Sequence, residues 1–256
     1  MICASASLDD TVKLWDLHAG REMGSLNVQE AGATEVFVNW DTYQLAVMCQ
    51  TGIVQLWNCN AMVMEHRIVC HRDGISVCDV QWVHNCFCTG SWDGTVKLWM
   101  LSDPSTSMFY HGHGDVIHVL SLCMDRDIMV VGSADRTIST WIVSSGACTH
   151  VLRQAGEVWS LLVDWETSHI ISNSHNSLKY WDMATQMSVA LEDYMWNWEP
   201  HGYARAGKLD ALWQYKLVAS SSNDHYIIIW DVDAKEAISR QRPHAARITN
   251  IRFADV

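Results

Sequence analysis

Proline is almost missing from this chain: three residues in 256. No low-complexity or linker-like stretch interrupts it, which excludes a long disordered segment and points to a single domain over residues 1–256. Apolar runs of 18 residues are missing too, so no helical membrane span and no membrane partner are expected. The N-terminus has no basic stretch leading into an apolar one, so no signal peptide is expected. Positive charge is scarce, with 17 Lys and Arg against 29 Asp and Glu, a net charge of −12. A surface of that sign repels phosphate backbones and disfavours direct nucleic-acid binding. C-x-x-C pairs are absent, and the nine cysteines are odd in number, several inside apolar runs such as NCFCTG. They read as buried free thiols in a reducing compartment, cytoplasmic or nuclear. The 13 histidines show no metal-ligand spacing with those cysteines, so neither a metal nor a cofactor is expected.

What the chain does have is a period. Six short β-type runs end on tryptophan: DDTVKLWD on Trp15, TGIVQLWN on Trp57, DGTVKLWM on Trp99, DRTISTWI on Trp141, NSLKYWD on Trp181 and DHYIIIWD on Trp230. The gaps between them are 42, 42, 42, 40 and 49 residues. Each run alternates apolar and polar residues, as a half-buried strand does. Each follows a turn cluster, and before each turn lies another short apolar run, the pattern of a hairpin. A period near 42 leaves room for about four strands of ~5–6 residues.

These residues resemble the WD-repeat (WD40) family, whose units are four-stranded blades of a β-propeller. Gly112-His113, Ser133, Asp135 and Trp141 follow the family pattern, except that Ile142 replaces the final Asp. His71, Ser91, Asp93 and Trp99 keep the same separations, and Ser222, Asp224 and Trp230-Asp231 match with His201 one residue early. The resemblance covers the whole chain and implies an all-β propeller of six four-stranded blades. It also implies Trp–Ser–His–Asp tetrads that satisfy one another inside the blade, since a buried member left unpaired costs about 1–3 kcal/mol. A set that recurs once per repeat reads as structural; a catalytic serine would stand free for substrate and would not recur. The Trp57 and Trp181 repeats depart from the pattern, with Cys49 and Thr51 in one and Arg153, Asn173 and His175 in the other. Those two blades are expected to lack the tetrad and to be less rigid.

The chain opens on a second strand, ICASAS, and closes on PHAARITNIRFADV, which reads as a histidine and a first strand. Spliced, they give His244, Ser7, Asp9 and Trp15 in order, with 27 residues from His244 round to Trp15 against 28 from His71 to Trp99. The expectation is a closed ring whose first blade combines residues 244–256 with 1–28, hiding a sheet edge. A piece of a longer, many-bladed protein is the alternative.

Ten of the 14 tryptophans hold repeat positions: the six above, with Trp40, Trp82, Trp165 and Trp213 ending first strands. Trp92, Trp159, Trp196 and Trp198 remain. Alternating strand direction assigns all four to one end of the blades. The longest insertion, LEDYMWNWEPHGYARAGK, adds Tyr194 and Tyr203 beside Glu192, Asp193 and Glu199. From Glu157 to Glu199 there are seven carboxylates and one lysine, half of the net charge. Exposed aromatics anchor protein interfaces, and loops of this length are usually functional. Trp92, Glu157, Trp159, Tyr194, Trp196, Trp198, Glu199 and Tyr203 are therefore the candidate partner-binding residues. The competing reading is that the loop packs back on its own blade.

Family resemblance implies a non-catalytic platform that binds a protein or peptide within a larger complex. Acidic residues beside aromatics suit a basic partner, and a reader of a basic or methylated tail is the sharper alternative. An enzyme would need carboxylates, histidines or metal ligands converging without regard to the repeat. The sequence offers no such cluster.

Overall fold

The computed structural model describes residues 2–30, 32–174, 177–191, 206–222, 225–246, 248 and 250–253. Its contacts divide the chain into two compact units, Met1–Gly112 and His113–Val256, each built of three antiparallel sheets.

In the first unit, β1 (Ile2–Ala6), β2 (Thr11–Asp16) and β3 (Arg21–Asn27) form a three-stranded sheet. A second sheet joins β4 (Ala33–Asn39), β5 (Gln44–Cys49), β6 (Ile53–Asn58) and β7 (Val63–Val69), and a third joins β8 (Ile75–Gln81), β9 (Cys86–Ser91), β10 (Thr95–Met100) and β11 (Ser107–His111). The second unit repeats the plan three times. Its sheets are β12 (Ile117–Cys123) to β13 (Ile128–Ser133), β14 (Thr137–Ile142) and β15 (Ala147–Arg153); β16 (Ser160–Asp164) to β17 (His169–Ser174), β18 (Ser177–Asp182) and β19 (Ser188–Ala190); and β20 (Ala206–Leu212) to β21 (Leu217–Ser222), β22 (Ile227–Asp231) and β23 (Glu236–Gln241). Every strand pairs with its neighbour in sequence, as short turns require.

The cores lie between consecutive sheets. Val12, Leu26, Leu45, Val47 and Trp57 pack the first sheet on the second; Met48, Leu56, Phe87 and Trp99 pack the second on the third. In the second unit, Val130, Ile138, Leu161, Ile170 and Trp181 join the fourth and fifth sheets, and Ile171, Leu178, Val218, Ile228 and Trp230 the fifth and sixth. Trp40, Trp82, Trp165 and Trp213 close these layers at their edges, as partly buried side chains.

Third strands were expected to be half-buried. β2, β10 and β22 alternate in that way, but β6 is buried from Ile53 to Trp57 and β14 from Thr137 to Trp141. Sheets stacked on both sides leave those two strands no wet face, so their polar residues point into the core and need partners there. The first sheet has three strands among the described residues. In the second unit, Asp210 on β20 accepts the backbone N–H of Phe253 at 2.6 Å and faces the Arg252 guanidinium at 3.5 Å.

Turns between second and third strands share one backbone device. Asp10, Gly52, Gly94, Arg136 and His225 occupy equivalent places and all have positive φ, from 67° to 81°. Aspartate, arginine and histidine tolerate it, so left-handed backbone alone does not demand glycine here. Gly52 differs in its surroundings: a Cβ there would lie 2.4 Å from the Asp73 carbonyl oxygen and 2.7 Å from that of His71. Its own carbonyl accepts the N–H groups of Cys70 and His71, which holds that chain close. Gly52→Ala should therefore destabilise the protein by about 1–3 kcal/mol or more, read as a lower urea midpoint. Unchanged stability would refute the close approach.

Candidate partner-binding surface

Each repeat tryptophan donates its indole N–H to a side-chain oxygen within its own sheet. In the third sheet Trp99 donates to Thr89 Oγ1 at 3.2 Å, Thr89 lies 2.9 Å from His71 Nε2, and His71 Nδ1 lies 3.0 Å from Asp93 Oδ2. With the threonine proton given to Nε2, the ring proton sits on Nδ1 and is donated to Asp93. The fourth sheet builds the same chain from Trp141, Ser139, His113 and Asp135, at 2.7, 2.6 and 2.9 Å.

The relay hydroxyls are thus not the expected serines. Ser91 donates to the Gly74 carbonyl and accepts the N–H of Asp93; Ser133 donates to Asp115 and Val116 carbonyls and accepts the N–H of Asp135. Both pin the turn. Strand register explains the difference: Trp99 pairs with Phe87 and Trp141 with Met129, far from the strand ends that Ser91 and Ser133 occupy. Thr89 and Ser139 fill opposite members of one cross-strand position, Thr89 facing Lys97 and Val131 facing Ser139. In the first sheet the acceptor is Ser5, at 2.9 Å from Trp15, while Ser7 and Asp9 bind the turn backbone. His244 is exposed. In the sixth it is Ser220, at 2.8 Å from Trp230; the Ser222 side chain and Asp224 lie outside the described residues.

The two divergent repeats lack the tetrad, as expected, yet their indoles are also satisfied. Gln55 accepts from Trp57 at 2.9 Å and donates to the Val28 carbonyl at 2.9 Å. Trp181 donates to Ser172 at 2.7 Å, and the Gln154 amide donates to the same hydroxyl. An amide carries donor and acceptor on one side chain, so Gln55 can serve in place of the relay hydroxyl and Gln154 in place of the histidine.

Electrostatics fit a closed, structural role. Burial lowers the His71 pKa, against the opposing pull of Asp93. Burial would raise Asp93, but hydrogen bonds from Thr95 and the His71 partner hold it below the usual carboxylate range. Burial likewise pushes the Cys70 thiol up to about 12 and that of Cys86 to about 11, far from thiolate chemistry.

Two candidate aromatics are among the described residues. Trp92 stands 56% exposed on the turn between β9 and β10, its backbone N–H donated to the Gly74 carbonyl. Trp159, just before β16, is half-buried and stacks on His118 of β12, centroids 4.1 Å apart and planes 17° from parallel. Glu157 places a carboxylate oxygen 3.7 Å from His118 Nε2. Trp159 and Glu157 thus belong to one cluster, held by a histidine that sequence reasoning passed over; a single histidine in the strand IHVLSLC carried no repeat signal. Tyr194, Trp196, Trp198, Glu199 and Tyr203 lie outside the described residues.

A family model described as "WD domain, G-beta repeat" matches residues 63–100 and 104–141. Over those residues the chain carries WD40 repeats. The six sheets are its blades, and each matched segment begins on an outer strand and ends on the third strand of the next blade. Target of rapamycin complex subunit LST8-1 of Arabidopsis thaliana is 29% identical over 243 residues, covering 91% of this chain and 77% of that one. WD repeat-containing protein pop2 of Schizosaccharomyces pombe (strain 972 / ATCC 24843) is 24% identical over 207 residues, 79% of this chain. The chain spans about a quarter of pop2's length, 26%. The crystal structure of the computationally designed Ika8 protein superposes with a TM-score of 0.82 over 99% of this chain and 75% of that one, at 22% identity, a likeness of fold.

Two measurements check the WD40 wiring. Thr89→Val strips the acceptor from Trp99 and the partner from His71, so it should cost about 1–3 kcal/mol in urea denaturation. Ser91→Ala should leave the Trp99 environment intact, seen as unchanged tryptophan fluorescence; equal spectral change in both variants would refute the assignment. The pH dependence follows from His71. Its folded pKa lies below the ordinary 6.5, so the stability of the neutral ring is present above that pH and lost as pH falls from about 6.5 toward the folded pKa. His71→Gln, which can serve Thr89 as Gln154 serves Ser172, should flatten the midpoint-versus-pH curve in that interval.

Proposed function

We propose that this WD40-repeat protein is a non-catalytic platform that holds a protein or peptide partner within a multiprotein complex. The observation that carries this reading is an imbalance among its reactive-looking groups. Each complete Ser/Thr-His-Asp set is consumed by a tryptophan inside its own blade, whereas Trp92 and the Trp159–Glu157 cluster serve no core. A hydroxyl that accepts an indole N–H beneath a buried tryptophan is not open to a substrate; large aromatics left at a surface are what interfaces use. A relative named as a complex subunit, LST8-1, supports the same role.

The binding surface we propose combines Trp159 and Glu157 with the aromatic-acidic loop of residues 192–205, and Trp92 contributes on its own unit. Excess carboxylates favour a partner with a basic segment, drawn in faster at low salt. Affinity purification of the intact protein at low salt identifies the partner. Trp159→Ala, and separately Trp196→Ala with Trp198→Ala, should then each weaken its binding by about 2 kcal/mol or more, roughly thirtyfold, with the melting curve unchanged. A folded variant that binds as the parent does would discard this surface. A purified protein that turns over a substrate in the partner's absence would discard the platform reading.

A further inference from the structure

The blades carry one groove repeatedly. It opens where the first residue of a second strand, the residue before the repeat tryptophan, the outer strand and the third-to-fourth-strand turn of the next blade come together. Between the second and third sheets it is lined by Gln44, Leu56, Glu65, His66 and Leu101. Between the fourth and fifth it is apolar, with Ile128, Thr140, Ile142 and Met183. Between the first and second the Met62 side chain fills the place, packed where β3 has glycine: a Cβ on Gly24 would lie 2.6 Å from the Met62 methyl. The same frame thus presents different chemistry at each junction.

Between the fifth and sixth sheets the groove has a volume of about 440 Å³ and combines an aromatic floor with carboxylates. Tyr180 of β18 forms the floor, His169 leans on its ring at 4.8 Å, and Asp182 and Asp233 stand at the rim. Met187 and Val189, 69% and 42% exposed, supply an apolar wall. An ammonium already rests there: Lys235 Nζ lies 5.5 Å from the centroid of the Tyr180 ring. Tyr180 nevertheless has a raised pKa, first from burial and then from Asp182, Asp233 and Asp164. Asp182 and Asp233 thus set two carboxylates in the lining against the one resident lysine.

We propose that this groove is a second docking site, which takes a lysine side chain from an extended basic segment of a partner. The partner's ammonium takes the place of Lys235 over Tyr180 and beside Asp233, and its methylene stem lies along Met187 and Val189. An ammonium over an aromatic face and next to a carboxylate is attracted by both, and a lysine stem buries well against apolar side chains. The site is separate from the Trp159 surface. β17 runs from His169 in this groove to the far end, where the Asn173 carbonyl accepts the N–H of Trp159. It rests on the reading of the chain as a platform, but not on that surface.

The test uses the full chain with ¹³C-labelled methionine and valine methyls and two synthetic peptides, Ac-Val-Lys-Val-NH2 and its norleucine counterpart. The lysine peptide should shift the Met187 and Val189 methyls saturably, and the norleucine peptide should not. Asp233→Asn should weaken binding roughly two- to fivefold. Lys235→Met, which keeps the stem and removes the competing charge, should tighten it by a similar roughly two- to fivefold factor. Trp159→Ala should change nothing, whatever becomes of the other surface. Equal binding of the norleucine peptide, absence of saturable shifts, or weaker binding after Lys235→Met would each overturn the proposal.

Discussion

The indole N–H of the repeat tryptophan sets the constraint that the rest of each blade obeys. Trp57, Trp99, Trp141, Trp181 and Trp230 are buried, and a buried donor without an acceptor costs about 1–3 kcal/mol. The blade itself supplies the acceptor. Four chemistries meet the demand. Thr89 and Ser139 pass the bond to a histidine and an aspartate, Gln55 passes it to a backbone carbonyl, Ser172 shares it with Gln154, and Ser5 and Ser220 accept it. What persists is the satisfied indole; the residues that satisfy it do not.

This separates two jobs that one motif seems to combine. The aspartates at the turns accept backbone and threonine donors there, and the serines two residues before them pin the adjacent strand. Those bonds shape the turn even where the histidine arm is absent, as with Ser7, Asp9 and Thr11. The histidine joins turn to core, from His71 and His113 on the connection that enters the blade.

Structural demands of this kind leave the strand ends free to vary. In each unit a turn or strand start holds an aromatic outside the core clusters, Trp92 in the third sheet and Trp159 in the fifth. The opposite strand ends hold grooves whose frame repeats but whose lining changes from polar, to apolar, to aromatic and acidic, with one junction plugged by Met62. A repeat fold thus gains distinct contact sites without altering its backbone, because the lining residues lie outside the hydrogen-bonded relay.

Much of this was legible without coordinates. The spacing of Trp15, Trp57, Trp99, Trp141, Trp181 and Trp230, with turn residues ahead of each, was enough for strands, hairpins, blade count and family, because turn chemistry and strand length act over a few residues. Trp92 and Trp159 stood out for the same reason, as residues the period does not use. Strand pairing, by contrast, decided which hydroxyl meets each indole. Motif spacing pointed to Ser91 and Ser133, and register moved the bond to Thr89 and Ser139. Only packing showed that Gln55 replaces a relay hydroxyl and Gln154 a histidine, that His118 stacks on Trp159, and that Lys235 reaches Tyr180 from the next sheet. Each of those contacts joins residues on different strands or sheets through side-chain reach, and a one-dimensional pattern holds no record of reach.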